Sequence, residues 1–324
     1  MPSDPSYPRL VGDIGGTNAR FAWLAEPGAP LARVASYRCA EHASLEAAIR
    51  RYLEEHGMAV PAWGAIGIAN PVVGDHVRMT NHHWAFSIED MRQRLEMKRL
   101  LVLNDFTALA LALPALSADE VQAVGRGTPV PRAPIGLVGP GTGLGVSGLL
   151  PAAGGHYLPV NGEGGHATLA AVDDRDEAVL RVLRGRFGHV SAERAVSGPG
   201  LVQLYRALCE VEGVAAEAIE APEITRRALE GTDARCLGAL ELFCGFLGNV
   251  AGNIALTLGA RGGVYIGGGI VPRLGEWFSR SPFRDRFESK GRFRAYLSEI
   301  PTFVVHAAAP ALVGAARALE ELEP

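Results

Sequence analysis

The hexapeptide Asp13-Ile14-Gly15-Gly16-Thr17-Asn18 sets a carboxylate at the end of an apolar run, then two glycines, a hydroxyl and a carboxamide. This set suits a metal–phosphate complex. The Asp13 carboxylate can hold the water shell of a Mg²⁺ ion, while glycine N–H groups and the Thr17 hydroxyl approach phosphate oxygens. A hairpin turn needing positive φ would use the same residues, and the hexapeptide alone leaves the two readings level. The stretch Gly139-Pro140-Gly141-Thr142-Gly143-Leu144-Gly145 repeats the chemistry about 126 positions later, which favours phosphate. It also holds a G-x-G-x-x-G, Gly143 to Gly148. A dinucleotide site needs a helix after those glycines, whereas Val146 to Leu150 continues as strand, so a dehydrogenase is excluded.

Asn104-Asp105 falls where a strand gives way to a helix, the usual ligand position in open α/β sheets. Asp105 can accept a hydroxyl proton during phosphoryl transfer, or it can simply cap the helix that follows, and capping is the commoner role. Glu163-Gly164-Gly165-His166 offers a carboxylate and an imidazole, natural partners for vicinal sugar hydroxyls. As metal ligands the two make an incomplete set. Asn81-His82-His83-Trp84 looks inviting for a metal, but adjacent histidines face different ways in regular structure, and the segment reads as structural.

The elements that must position these groups follow from hydrophobic periodicity. Arg9 to Asp13 and Ala19 to Leu24 read as an antiparallel pair around the first glycine turn, and Trp63 to Ala69 and Arg99 to Leu103 as further strands. Helices are expected from Ser44 to Glu55, after the cap Ser87, and from Asp105 to Leu113. The pattern dissolves between Ser117 and Pro134, the best candidate for a domain boundary. Beyond it, Ile135 to Val138 and Leu144 to Leu150 flank the second glycine turn, so strand, turn and returning strand occur twice. Helices follow at Pro199 to Glu212 and Asp233 to Leu258, then strands at Val264 to Ile266 and Thr302 to Val305, and a terminal helix from Pro310 to Leu322.

Composition excludes several classes. With 324 residues, 48% hydrophobic and 20% charged, the chain is globular, and its length gives a prior of roughly two domains. A net charge of −4 argues against a nucleic-acid partner. Of 31 basic residues only Lys98 and Lys290 are lysine, and neither is followed by Ser or Thr, which removes the Walker-type phosphate loop. The N-terminus has no secretory pattern, and the most apolar run, Ala108 to Leu116, is too short to span a bilayer, so neither export nor membrane association is expected. Cys39, Cys209, Cys236 and Cys244 lack C-x-x-C spacing and read as small buried residues. A soluble cytoplasmic protein is expected.

Seven segments together resemble the bacterial glucokinases of the hexokinase/actin-like ATPase superfamily, in their proteobacterial form. They are LVGDIGGTNARFA (10–22), TNHHWAFS (80–87), NDFTALA (104–110), GPGTGLGVS (139–147), NGEGGHA (161–167), SAERAVSGPGL (191–201) and YIGGGI (265–270), and they span nearly the whole chain in the family's order. The resemblance implies an α/β fold of two ribonuclease-H-like domains around a central cleft. The division would be residues 1–115 with 307–324 as a small domain and 116–306 as a large one. It implies phosphorylation of the glucose 6-hydroxyl by MgATP, the first step of glycolysis, in a homodimer. Asp105 then looks like the base for the 6-hydroxyl proton. Asn104, Asp105, Glu163, His166 and Glu193 look like the sugar ligands. Asp13, Gly15, Gly16, Thr17 and Asn18 match the first phosphate segment, with Asp13 holding Mg²⁺ through water. Gly141, Thr142 and Gly143 match the second, and Gly267, Gly268 and Gly269 the adenosine segment. Glu193 comes from the resemblance alone, since Ser191-Ala192-Glu193-Arg194 reads as an ordinary helix start.

The rival readings are a related hexose or N-acetylhexosamine kinase with the same machinery, and a non-catalytic sugar sensor on the same fold. Asp105, Asp13 and two glycine turns argue against the sensor, which has no use for a phosphate site. An actin-like filament or chaperone ATPase would give no reason for Glu163 and His166.

Overall fold

The computed structural model describes residues 4–80 and 82–322. The chain divides into two units, the first comprising residues 1–116, 152–161 and 307–324, the second 117–151 and 162–306. The sequence reading leaves 152–161 in the large domain, but the structure groups this segment with the first unit. Hydrogen bonds tie it there: Tyr157 N donates to Glu321 Oε2 at 2.9 Å, His156 Nδ1 lies 3.2 Å from the same oxygen, and Thr107 Oγ1 donates to Asn161 Oδ1 at 2.8 Å. Neither partner is near in sequence, so no local pattern announces the grouping.

In the first unit the strands are β1 (Arg9–Ile14), β2 (Asn18–Leu24), β3 (Ala32–Arg38), β4 (Trp63–Ile68), β5 (His76–Arg78), β6 (Ala85–Ser87) and β7 (Arg99–Asn104). Its main sheet has the order β3-β2-β1-β4-β7. β1 runs antiparallel to β2, with Asp13 opposite Arg20, and parallel to β4, with Asp13 beside Gly67. β4 runs parallel to β7, placing Ile68 beside Asn104. The carboxyl ends of β1, β4 and β7 are therefore level. One face is covered by the helix Leu45–Glu55, whose Leu45, Ile49 and Leu53 are buried and whose cap Ser44 accepts from Ala47 N. The other face is covered by the helix Pro310–Glu321, which sets Leu312, Ala315 and Leu319 against Val11 and Ala65. Each such leucine contributes about 1.5–3 kcal/mol by leaving water.

In the second unit β8 (Val121–Val124), β9 (Ile135–Pro140) and β10 (Leu144–Pro151) precede β11 (Tyr157–Val160), which belongs to the first unit; β12 (Val264–Ile266) and β13 (Thr302–Val305) follow. The order β10-β9-β12-β13 repeats β2-β1-β4-β7 of the first unit, with an antiparallel hairpin partner on one side of a parallel trio. β8 adds to the edge, antiparallel to β13. The sequence pattern leaves β8 as boundary because it is four residues long and only Val124 is buried. β10 continues as strand from Leu144, as the rejection of a dinucleotide fingerprint requires.

The core helix of this unit is Ala234–Leu258, capped by Asp233, which accepts from Arg235 N and Cys236 N. Gly248 and Gly252 let it lie against the carbonyls of Phe283 and Phe287, where any Cβ would collide. This helix meets the length and composition of a membrane span, with a mean hydropathy of 1.4 in its most apolar window, which the search for an uninterrupted apolar run overlooks. Its window is 78% buried inside the protein, around fully enclosed Leu240, Phe243 and Leu247, so its apolarity is spent on the core. All four cysteines are free and buried.

Candidate active site

In the first unit, the glycine turn begins where β1 ends. Gly15 N donates to Asn18 O at 2.9 Å, closing the turn, and Cys39 N donates to Thr17 O at 2.9 Å, anchoring it to the end of β3. The hairpin alternative asked for glycine at positive φ. Gly15 does not have it, and a Cβ there would meet only Asn18 O, at 3.7 Å. Gly16 completes the turn, and Thr17 and Asn18 are exposed at its tip. Absent a backbone or packing demand, the glycine at 15 leaves open space beside strand-end amides, as a phosphate needs.

Asp13 is half-buried beside this turn, with Arg20 Nη1 at 4.0 Å from its Oδ2. Burial pushes its carboxyl above the ordinary value, and Arg20 offsets the rise in part. An under-compensated carboxylate next to open amides favours a cation. No group of three or more His, Cys, Asp or Glu side chains that could cage a metal exists among the described residues. One carboxylate without a cage fits Mg²⁺, which keeps most of its waters and shares its ligands with phosphates.

Asn104 and Asp105 stand at the end of β7, and the sequence reading offers Asp105 as the cap of the helix that follows, Asp105–Ala112, which the structure corrects. The cap is Asn104: its Oδ1 accepts from Phe106 N at 2.9 Å and from Thr107 N at 3.3 Å. Its Nδ2 donates to Asn70 O at 3.3 Å. Asp105 is the first residue of the helix, so its carboxylate is not required as a cap, although Oδ1 accepts from its neighbour Phe106 N at 2.9 Å. Gly67 and Gly314 seat this helix. A Cβ on Gly67 would meet Ala108 Cβ at 3.1 Å and Asp105 Cα at 3.6 Å, and one on Gly314 would overlap the Ala108 carbonyl. Sequence reasoning misses both glycines, because their only signal is close approach across elements.

In the second unit, the turn after β9 has the same character. Gly141 N donates to Gly143 O at 2.8 Å, Gly141 lacks positive φ, and a Cβ on it would meet nothing within 4 Å. Thr142 is exposed at the tip. Gly267 follows β12 and donates to Val138 O at 2.9 Å, which aligns the ends of β9 and β12. Gly268 does have positive φ, at 77°, and lies against the Pro140 carbonyl, whereas Gly269 opens into space. Among these glycines, then, Gly268 is structural and Gly141 and Gly269 leave room.

Glu163, His166 and Glu193 reach the same end of the second sheet by an indirect route. The short turn Gly164–His166, closed by His166 N donating to Glu163 O at 3.0 Å, lies flat on β10. It can do so because a Cβ on Gly164 would press on Val146 and one on Gly165 would overlap the Leu144 carbonyl. Ala192 N donates to Ala167 O at 2.9 Å and Thr168 bridges Ser191, which brings the turn Ala192–Arg194 alongside. Glu163 and His166 are exposed and Glu193 is half-buried. Glu193 Oε2 accepts from Leu144 N at 2.9 Å, so the residue read as an ordinary helix start is bound to the glycine turn itself.

Among the described residues the histidine pair belongs to no group of three or more His, Cys, Asp or Glu side chains that could hold a metal. The two rings, however, do not face different ways as expected. Trp84 is buried, its Nε1 donating to His42 O at 3.0 Å, and the rings of His82 and His83 lie against each other at 4.2 Å. Asn81 lies outside the described residues.

Comparison with known proteins agrees with this arrangement. A family profile described as Glucokinase matches residues 10–322. The glucokinase of Aromatoleum aromaticum is 56% identical over 316 residues, covering 97% of this chain and 95% of its own length. The glucokinase of Chromobacterium violaceum is 54% identical, covering 98% of this chain and 90% of its own. A crystal structure of glucokinase from an Antarctic psychrotroph aligns with a TM-score of 0.90 at 37% identity, over 97% of this chain and 98% of that one. Two sheets of repeated order, each ending in an open glycine turn, and a match of this length together place the chain in the glucokinase family.

Proposed function

We propose that this chain transfers the γ-phosphoryl group of ATP to the 6-hydroxyl of glucose, giving glucose 6-phosphate and ADP at the entry to glycolysis. The observation that carries the reading is the pair of open turns. Gly15 follows β1 and Gly141 follows β9, the matching strands of the repeated order, and neither is explained by positive φ or by packing. Sites that present backbone amides to a triphosphate need no lysine, which suits a chain with only Lys98 and Lys290.

In this reading Asp105 accepts the 6-hydroxyl proton as that oxygen bonds to the γ-phosphorus and the bridge to the β-phosphate breaks, with ADP leaving. Asn104 has one amide hydrogen committed to Asn70 O, which leaves its second to orient the sugar. Glu163, His166 and Glu193 hold the other hydroxyls. Gly15, Gly16, Thr17, Asn18, Gly141, Thr142 and Gly143 serve the phosphates, and Gly267, Gly268 and Gly269 the adenosine. Asp13 holds Mg²⁺ through water; when bound, the ion offsets charge on the phosphates. A cytoplasmic location suits both proposed substrates, and the family likeness supports a homodimer, which sedimentation of the purified chain measures.

The test is a coupled assay of ADP release with MgATP and a panel of glucose, mannose, fructose and glucosamine. Glucose-dependent release with the highest kcat/KM in the panel is expected. Glucose binding without ADP release would make the protein a sensor, and preference for another sugar would move the substrate.

A further inference from the structure

The segments assigned to sugar and to phosphate meet on one peptide group. Leu144 follows Gly143 in the second glycine turn, and its N–H donates to Glu193 Oε2 at 2.9 Å. The carboxylate is closely seated, since a Cβ on Gly143 would stand 2.5 Å from that oxygen. Glycine at 143 therefore makes room for a side chain of the sugar segment. On its other side the same residue is covered by Gly165, at the Leu144 carbonyl. The chain after Glu193 holds the turn as well: Gly198 N donates to Gly141 O at 2.8 Å, and Ser197 Oγ donates to Glu193 O at 2.8 Å.

We infer that Glu193 is a positioning residue that reports sugar occupancy to the phosphate turn. The inference rests on the sugar and phosphate roles proposed above. The Glu193 carboxylate accepts from the Leu144 N–H, a donor suited to a phosphate oxygen, and sets a negative charge beside the turn that receives the triphosphate. Sugar hydroxyls that donate to the same carboxylate disperse its charge and weaken its hold on that N–H. Drawing Glu193 toward the sugar returns the amide to the turn and lessens the repulsion. Sugar and nucleotide then strengthen each other's binding, and by linkage the effect is equal in both directions.

The test is equilibrium binding of the Mg²⁺ complex of β,γ-imido-ATP, which is not turned over, to the unaltered chain, Glu193→Gln and Glu193→Ala. Glucose is expected to tighten binding of the analogue to the unaltered chain. Without sugar, both variants are expected to bind it tighter by about threefold or more, the order for removing one charge near a triphosphate in partly solvated surroundings. A residue that only touches sugar would leave the sugar-free affinity unchanged. Unchanged or weaker sugar-free binding in the variants overturns the inference, as does the lack of any glucose effect on the unaltered chain. Glu193→Gln keeps size and an acceptor oxygen, so a folding defect in Glu193→Ala leaves the test standing. An unaltered chain that releases no ADP with glucose would count against the kinase reading; glucose-dependent ADP release by the unaltered chain, with unchanged analogue affinity in the variants, removes only the role of Glu193.

Discussion

Gly314 lies so close to the carbonyl of Ala108 that one methyl group on its Cα would overlap that oxygen. Across the helix Asp105–Ala112, Gly67 of β4 comes within reach of Ala108 Cβ and Asp105 Cα. The helix that begins with the candidate base is thus held between a strand and the helix Pro310–Glu321 by two residues without side chains. The position of Asp105 depends on a residue about 200 positions away, in the tightly filled interior that makes such contacts unforgiving.

Gly314→Ala should therefore act on both stability and turnover. The added methyl forces the two helices apart, at a cost of about 1–3 kcal/mol. Displacement of Asp105 should lower kcat more than it raises the KM for ATP. Denaturant melts and steady-state kinetics on the same preparation check this. Parental stability together with parental kcat would show that the helix pair absorbs the methyl freely.

What was legible in the sequence followed from local signals. The strand–turn–strand units, the helix Ala234–Leu258 and the cap Ser87 depend on periodicity and on side chains within three residues of their partners. What was not legible depends on distant partners. The tie between Asn161 and Thr107, the seat of Asp105 on Gly67 and Gly314, and the hold of Glu193 on Leu144 leave no trace in spacing. The sequence reading offers Asp105 as the cap and the structure gives that role to Asn104, since both residue types cap helices and only the backbone of the strand end decides. The short edge strand β8 was lost among polar residues because one buried valine is no pattern.

Asp13 should cost the fold stability while serving the chemistry. Burial raises its carboxyl above the ordinary value of 3.8, so the protonated form is the one the fold favours. Its contribution is present below that ordinary value and is lost as pH rises through the raised folded value. Asp13→Asn should accordingly melt higher than the parent at neutral pH, with the gap closing as pH falls below about 4. The loss of the ion pair with Arg20, at 4.0 Å and partly exposed, should matter little. Turnover with MgATP should fall in the same variant. Calorimetry across pH, beside an ADP-release assay, measures both. A variant less stable than the parent at neutral pH would mean that Arg20 outweighs burial.

Two glycines of the nucleotide segments should separate function from folding. Gly141 has neither positive φ nor a neighbour within 4 Å of an added Cβ, so Gly141→Ala should keep stability within about 0.5 kcal/mol. Its methyl would stand where a phosphate must approach the backbone, and the KM for ATP should rise about tenfold, the effect of losing about 1.4 kcal/mol of binding. Gly268 has φ at 77° and rests on the Pro140 carbonyl, so Gly268→Ala should unfold more readily. Thermal melts and ATP titration of both variants give the comparison. A Gly141→Ala enzyme with parental KM for ATP would remove the phosphate role of that turn.

Asn104 and Asp105, adjacent in sequence, should fail in opposite ways. Asn104 holds the first turn of its helix through two accepted hydrogen bonds, and Asn104→Ala should lose about 1 kcal/mol of stability with a raised KM for glucose. Asp105 is the first residue of the helix and accepts from Phe106 N, which the Asn104 cap already serves. Asp105→Asn keeps shape and removes the acceptor of a hydroxyl proton, so kcat should fall by about 10²–10⁴ or more while the melting temperature stays near that of the parent. Glucose should still bind, since the carboxamide retains both a donor and an acceptor. The decisive measurement is kcat and melting temperature on both variants side by side. An Asp105→Asn enzyme that retains kcat would take the base away from the end of β7.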